Sequence, residues 1–156
     1  MKKYLVYALP VVLVIFTYAC GGKTGSKLTY DKPEAPVEGF FKAVSDQKFD
    51  IAWKSLSKHT QDRFIEEVAK EESMDKEKIR AMFDKNDLPI QNGFWKAFRD
   101  TSKTEEMVKG ASFSVQSSSG NEGLINFNTS NGAVIPCKVF KEGDSWRFGY
   151  AETFNI

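Results

Sequence analysis

The least common reactive side chains in this 156-residue chain are Cys20, Cys137 and a single histidine, His59. A cysteine nucleophile needs a neighbouring group that lowers its pKa, and no histidine lies close in sequence to either cysteine. The usual structural zinc site needs four cysteine or histidine ligands, more than this chain offers. We therefore predict no catalytic residue, no metal and no cofactor.

Cys20 lies at the end of an apolar run that has the three parts of an export signal. Lys2 and Lys3 precede the run, which extends over residues 4–16, and residues 17–19 (Thr-Tyr-Ala) follow it. A helix that spans a bilayer needs about 20 residues, more than this run provides. We predict a signal peptide over residues 1–19, and a short membrane anchor is the alternative.

The letters TYAC, residues 17–20, resemble a bacterial lipobox, although Thr17 stands where that motif prefers leucine. The resemblance implies that Cys20 is lipidated and becomes the first residue of the mature protein. Residues 20–32 are poor in apolar side chains and are predicted to form a flexible tether to the membrane. The acyl chains would provide the membrane attachment, at about 0.8 kcal/mol for each buried methylene.

The position after the cysteine bears on the location of the protein. Gly21, in place of aspartate, resembles the signal that sorts lipoproteins to the outer membrane in cells with two membranes. The predicted location is therefore the cell envelope, facing the periplasm in such cells. The alternative is ordinary cleavage after Ala19, which would leave Cys20 free to form a disulfide with Cys137 in an oxidising compartment.

Composition indicates one globular domain and no nucleic-acid partner. The chain carries 22 basic and 21 acidic residues, and loss of Lys2 and Lys3 with the signal peptide would leave 20 basic residues. Such a balance is not the basic surface that nucleic acids require. The length suits a single core, and 13 phenylalanines make that core aromatic.

Apolar residues recur at intervals of three and four in the first half of the mature chain, which predicts amphipathic helices. Ser57 is predicted to cap the third helix and Asp75 to start the fourth. A short fifth helix is predicted near residues 90–98. The apolar faces of the first two helices contain Val37, Phe40, Phe41, Val44, Phe49, Ala52, Trp53 and Leu56.

From Glu105 onward the period changes to two, which predicts an antiparallel meander of strands with one buried face. Pro136 removes a hydrogen bond from its strand, so we expect a bulge or a local gap in pairing there. The predicted buried face contains Phe113, Val115, Ile125, Phe127, Ile135, Cys137, Val139, Phe148 and Tyr150.

The loops predict how the strands pair. A three-residue loop at 130–132 places Phe127 opposite Ile135 and Ile125 opposite Cys137, whereas a two-residue loop would mix the two faces.

A two-residue loop at 143–144 places Val139 opposite Phe148 and Cys137 opposite Tyr150. Both loops therefore predict the same buried face.

Two segments carry a resemblance to a known group: PEAPVEGFFKAVSDQKFDIAWKSLSKHTQDRF from residue 33 and CKVFKEGDSWRFGY from residue 137. They resemble the NTF2-like superfamily of cystatin-like α+β proteins, and in it small bacterial envelope lipoproteins of the DUF4878 type. The resemblance implies that residues 33–156 form an NTF2-like domain. Its N-terminal helices would pack on a curved four-stranded antiparallel sheet that forms a cone with an apolar mouth.

The cone that this resemblance implies would hold a candidate apolar pocket. His59 is interpreted as a surface or capping residue at a helix start, because its neighbours are polar. Cys137 is interpreted as a core residue, since a free cysteine packs as a small hydrophobe. The predicted pocket residues are Phe40, Trp53, Phe113, Phe127, Cys137, Phe148 and Tyr150.

Three functional hypotheses follow. The first is a lipid-anchored, non-enzymatic envelope domain that binds a protein, a glycan or a small apolar ligand. The second is an NTF2-like enzyme of the isomerase or dehydratase kind, which would need a carboxylate or histidine inside the cone. The third is a structural or assembly accessory lipoprotein, which would need an exposed apolar patch.

We predict that Cys20 carries the lipid. Metabolic labelling of the full chain with a palmitate analogue should label the wild type, and Cys20→Ser should abolish the label because the acceptor thiol is gone. Cys137→Ser is the matched control and should label normally. Equal labelling of the wild type and Cys20→Ser would contradict the lipoprotein hypothesis, and a Cys20–Cys137 disulfide would establish its rival.

Overall fold

The computed structural model describes residues 28–156, so the predicted signal peptide and Cys20 lie outside the described residues. The predicted order, helices first and then four strands, is confirmed. The elements are α1 Ala35–Ser45, α2 Phe49–Ser55, α3 Lys58–Glu71, α4 Lys76–Lys85, α5 Leu88–Ile90, a π-helical segment Gln91–Trp95, α6 Lys96–Ser102, α7 Thr104–Val108, β1 Ser112–Ser119, β2 Glu122–Asn128, β3 Val134–Glu142, β4 Ser145–Gly149 and α8 Tyr150–Phe154.

Both predicted helix caps are confirmed. The hydroxyl of Ser57 accepts a hydrogen bond from the backbone N–H of Thr60 at 3.1 Å, at the start of α3. The carboxylate of Asp75 accepts one from the backbone N–H of Glu77 at 2.9 Å, at the start of α4. Each bond satisfies an amide that has no partner within its own helix.

The sequence underestimates the helical content of the middle and the end of the chain. The fifth helix extends from Leu88 to Ser102, with π-helical geometry over Gln91–Trp95, rather than over residues 90–98 alone. Helix α7 occupies residues that the two-residue period assigned to the sheet region. These short helices have weak signals of their own and form where tertiary packing favours them.

The four strands form one open antiparallel sheet in the order β1-β2-β3-β4. The predicted pairs Phe127–Ile135 and Ile125–Cys137 are confirmed. The loop between β2 and β3 is closed by Thr129, whose N–H donates to the carbonyl of Ala133 at 2.9 Å. Three residues therefore separate the closing pair, as the pattern predicts.

The turn between β3 and β4 also pairs Val139 with Phe148 as predicted, but the next predicted pair, Cys137 with Tyr150, is wrong. Strand β4 ends at Gly149, opposite Lys138, and Tyr150 begins α8. A Cβ on Gly149 would lie 2.5 Å from Cε2 of Phe140, so any larger residue would displace that ring where the chain leaves the sheet.

The expectation of a bulge or a local gap in pairing at Pro136 is wrong for the pairing of β3 with β2. Pro136 pairs with Asn126 in regular register. The N–H of Lys138, two residues further along the strand, points away from β2 and donates to Thr153 Oγ1 at 2.9 Å. Backbone nitrogens two residues apart in a strand point to the same side, so the nitrogen of Pro136 also points away from β2. Pro136 lies beyond Lys138, the last residue of β3 that pairs with β4. Its missing N–H therefore costs no ladder bond.

The bulge lies instead in the edge strand β1, where the register shifts between Val115 and Ser117. The prediction that Val115 is buried is wrong, because 46% of this residue is exposed. Among the strands, helix α1 packs most against β4 and then against β3, away from the edge strand β1.

The core lies between the helices and one face of the sheet. Phe41 of α1 contacts Phe127 of β2, with ring centroids 4.7 Å apart, and Phe148 of β4 at 5.7 Å. All three rings are buried. Offset and tilted ring pairs of this kind add to the free energy of burial.

Residues 28–30 fall inside the predicted tether and are nonetheless bound to the folded domain. Tyr30 donates its N–H to Ser145 Oγ at 2.8 Å and accepts from the N–H of Trp146 at 2.9 Å. Its hydroxyl hydrogen-bonds Ser55 Oγ at 2.8 Å. An added Cβ on Gly39 would lie 2.4 Å from that hydroxyl, so α1 needs glycine there.

Trp53 gives a measurable test of the core. It is 3% exposed, stacks on Phe83 at 4.4 Å and donates its indole N–H to Asp84 at 2.8 Å. In residues 21–156, which contain every described element, Trp53→Ala should lower the free energy of unfolding by about 3–5 kcal/mol. Trp53→Phe keeps an aromatic ring and should cost less, since one hydrogen bond contributes about 1 kcal/mol.

Urea unfolding followed by far-ultraviolet circular dichroism measures both losses. A loss below about 1 kcal/mol for Trp53→Ala would contradict the buried position of this side chain.

Candidate functional site

A cleft of about 810 Å³ opens between the helices, away from the sheet. Residues of α3, of α4 and of the helical stretch from α5 to α6 line it, together with Tyr150 at the start of α8. The apolar lining consists of Val68, Met74, Ile79, Met82, Pro89, Ile90, Phe94, Ala97 and Phe98.

The helical stretch presents an aromatic surface to the cleft. Phe94 and Phe98 are stacked with ring centroids 6.1 Å apart, and Phe98 contacts Tyr150 at 5.2 Å. Beneath them, buried Phe64 of α3 contacts Phe94 at 5.1 Å. The rings that line the cleft are therefore held from behind by the core, which gives the site a defined wall.

The π-helical segment shapes that wall. Gly93 lines the cleft, and no atom lies within 4 Å of a Cβ added there, so the backbone itself borders open space. The next residue but one, Trp95, points into the core, where its ring stacks on Phe49 at 5.7 Å. π-Helical turns occur often at functional sites, because the extra residue redirects side chains on either side of it.

Helix α8 positions Tyr150 through a polar contact with α3. The hydroxyl of Thr60 accepts from the N–H of Ala151 at 3.0 Å and donates to the carboxylate of Glu152 at 2.8 Å. Ser57 also donates to Glu152, at 3.0 Å. These bonds fix the first turn of α8 and therefore the direction of the tyrosine ring.

The polar groups of the cleft are hydroxyls and carboxylates. Burial raises the pKa of Tyr150, so its phenol stays protonated at neutral pH and can donate a hydrogen bond. Three exposed glutamates, Glu67, Glu71 and Glu72, form the rim of the cleft. Within residues 28–156, none of these three carboxylates forms an ion pair or a hydrogen bond with another side chain.

The seven residues of the predicted pocket lie in different places. Tyr150 lines the cleft, and Phe113 is half-buried, stacked on Phe127 with ring centroids 4.9 Å apart. The structure brings the other side chains together in the packed core and not around an open space: Phe40, Trp53, Phe127, Cys137 and Phe148.

Cys137 and His59 stand apart from the cleft and from each other. The Cys137 thiol is buried in β3, and burial raises its pKa to about 12. His59 is exposed in the first turn of α3. Across residues 28–156, no three His, Cys, Asp or Glu side chains are grouped closely enough to hold a metal ion.

Phe94, Phe98 and the two methionines of the cleft, Met74 and Met82, are the site residues that the sequence did not assign to a site. Helical spacing predicts core positions for Phe94, Phe98 and Met82, whereas Met74 lies between two predicted helices. Their half-buried state is what distinguishes them, and no periodicity in the sequence shows which part of an apolar face stays uncovered.

Comparisons with known proteins identify no relative. No protein-family model matches this chain, and no curated protein and no solved structure is significantly similar to it. In the part of the chain that the structure describes, no helix has the length and hydropathy needed to cross a bilayer.

The raised pKa of Cys137 predicts a loss of stability at high pH. In the unfolded chain this thiol has a pKa of 9.0, and in the folded chain about 12. The stabilisation is complete below pH 9 and is lost as pH rises from 9 to 12, because the unfolded state releases the proton first. At pH 10 we expect a loss of about 1.4 kcal/mol from this group.

Urea unfolding of residues 21–156 at pH 8 and pH 10 measures this loss. Cys137→Ala should show a smaller difference between the two pH values than the wild type, because the thiol that releases its proton in the unfolded chain is gone. An equal difference in the two proteins would contradict a thiol held neutral by burial.

Proposed function

We propose that this chain is a lipid-anchored cell-envelope protein whose domain is a non-enzymatic binding module for an apolar ligand. The observation that carries the proposal is the cleft between α3, α4 and the helical stretch from α5 to α6. Lipid attachment at Cys20 rests on the N-terminal residue pattern and adds a location to this binding role.

The size and lining of the cleft support a ligand. Binding sites for small molecules are commonly 300–1,000 Å³ and mainly apolar, with a few polar groups that orient the ligand, and a cleft of about 810 Å³ falls in that range. Phe94 and Phe98 supply apolar surface, and the phenol of Tyr150 supplies a hydrogen-bond donor. Removal of this surface from water contributes about 25 cal/mol per Å².

The chemistry of the interior favours binding over catalysis. Among the described residues, the buried polar side chains carry hydroxyls, not carboxylates: Ser55, Ser57, Thr60, Thr104 and Ser145. The Cys137 thiol, with a pKa of about 12, is protonated at neutral pH and is a weak nucleophile. His59 precedes Glu67 by eight residues on α3, about 12 Å along the helix axis, which places it outside the cleft.

We also infer an NTF2-like domain of the cystatin-like class. Its support is the order of elements, helices and then a four-stranded antiparallel meander, with α1 packed across the sheet. In this interpretation the space enclosed by sheet and helices is filled by Phe40, Phe127 and Phe148, and the ligand site is displaced to the outer side of the helices.

Binding of an uncharged fluorescent probe tests the proposal. We expect N-phenyl-1-naphthylamine to bind residues 21–156 with enhanced fluorescence, because the cleft removes it from water. Ala97 lines the cleft and is exposed, so Ala97→Phe should fill it and weaken probe binding at least about tenfold.

Ala133→Phe is the matched control, because Ala133 is exposed in the loop between β2 and β3. It should bind the probe as the wild type does. No binding to the wild type, or equal binding to Ala97→Phe, would contradict a ligand site in the cleft.

A further inference from the structure

The rim of the cleft carries charge of one sign. Glu67, Glu71 and Glu72 line it, and among the described residues no lysine, arginine or histidine lines it with them. All three glutamates are exposed. The charged side chains that line the cleft are therefore all negative, and they raise the local concentration of cations.

Other acidic side chains of α3 form ion pairs, unlike the three glutamates at the rim of the cleft. Glu66, one residue before Glu67, accepts from Lys76 at 2.8 Å and from Arg63 at 3.1 Å. Asp62 pairs with Arg80. Arg63, Lys76 and Arg80 are thus engaged by other carboxylates, and Glu67, Glu71 and Glu72 have no ion pair or side-chain hydrogen bond within residues 28–156.

The aromatic wall suits a cation as well. Phe94, Phe98 and Tyr150 line the same cleft as the three glutamates. An ammonium group near a ring face is attracted by the negative face of the ring. Met74 and Met82 have flexible side chains, which adapt to alkyl groups of different shape.

We infer that the ligand of the cleft is a cationic amphiphile, a molecule with an apolar body and an amine or quaternary ammonium group. The apolar body contacts the aromatic wall and the methionines, and the ammonium group lies at the glutamate rim. Fatty acids and other anionic amphiphiles are repelled by the same three carboxylates. This inference rests on the proposed function and specifies the charge of the ligand.

Three probes with the same ten-carbon chain test the charge preference: decyltrimethylammonium, decyl glucoside and decanoate. Isothermal titration calorimetry with residues 21–156, at probe concentrations below micelle formation and at low salt, measures each affinity. We expect decyltrimethylammonium to bind about tenfold more tightly than decyl glucoside, because exposed charge pairs contribute modestly. Decanoate should bind most weakly, and 0.5 M salt should reduce the difference.

A triple variant, Glu67→Gln, Glu71→Gln and Glu72→Gln, removes the rim charge and keeps side-chain size. It should bind decyltrimethylammonium about as weakly as decyl glucoside and should leave decyl glucoside binding unchanged. Glu106→Gln, on α7 and outside the cleft, is the matched control and should bind all three probes as the wild type does.

The outcomes separate the two proposals. Equal affinity for the cationic and the neutral probe, tightest binding of decanoate, or a triple variant that keeps the preference would overturn this inference and leave the apolar site intact. Failure of all three probes, together with failure of N-phenyl-1-naphthylamine, would overturn the proposed function and this inference with it.

Discussion

The fold depends on the burial of one side chain, Phe40, at the centre of α1. Its ring is fully buried, and the rings around it come from separate elements along the chain. Those elements can reach it only if the helices lie on one face of the sheet and α8 turns back towards α3. Ring centroids lie between 5.3 and 6.4 Å from that of Phe40 for Phe41, Trp95, Phe98, Phe148 and Tyr150.

Sequence reasoning predicts the parts of this fold that local physics controls. Ser57 and Asp75 cap helices because their side chains satisfy free amides, and the loop at 130–132 sets the strand register because a shift by one residue would expose the buried face. Sequence reasoning fails where contacts between distant parts of the chain determine the local structure. Tyr150 continues an alternating pattern, yet Gly149 ends the strand and the contact of α8 with α3 makes the next turn helical.

The candidate site is harder to predict for a related reason. A helical apolar face shows that residues such as Phe94 and Phe98 are buried on average. The exposed fraction of each ring, however, depends on the distance of α3 and α4 from the stretch α5–α6. The π-helical turn at Gln91–Trp95 changes that spacing and has no clear sequence signal. The predicted lipidation signal is different in kind, because a lipobox is a linear motif that depends on no fold.

The attachment of the N-terminal residues to β4 has a mechanical consequence. Arg147 donates to the carbonyl of Leu28 at 3.1 Å, and Tyr30 is bound through both its backbone and its hydroxyl. A pull on the chain from its N-terminal side is therefore first resisted by bonds to the last strand and to Ser55 of α2, and not by α1. The load therefore enters the domain through β4, the last strand, before it reaches α1 or the helices that line the cleft.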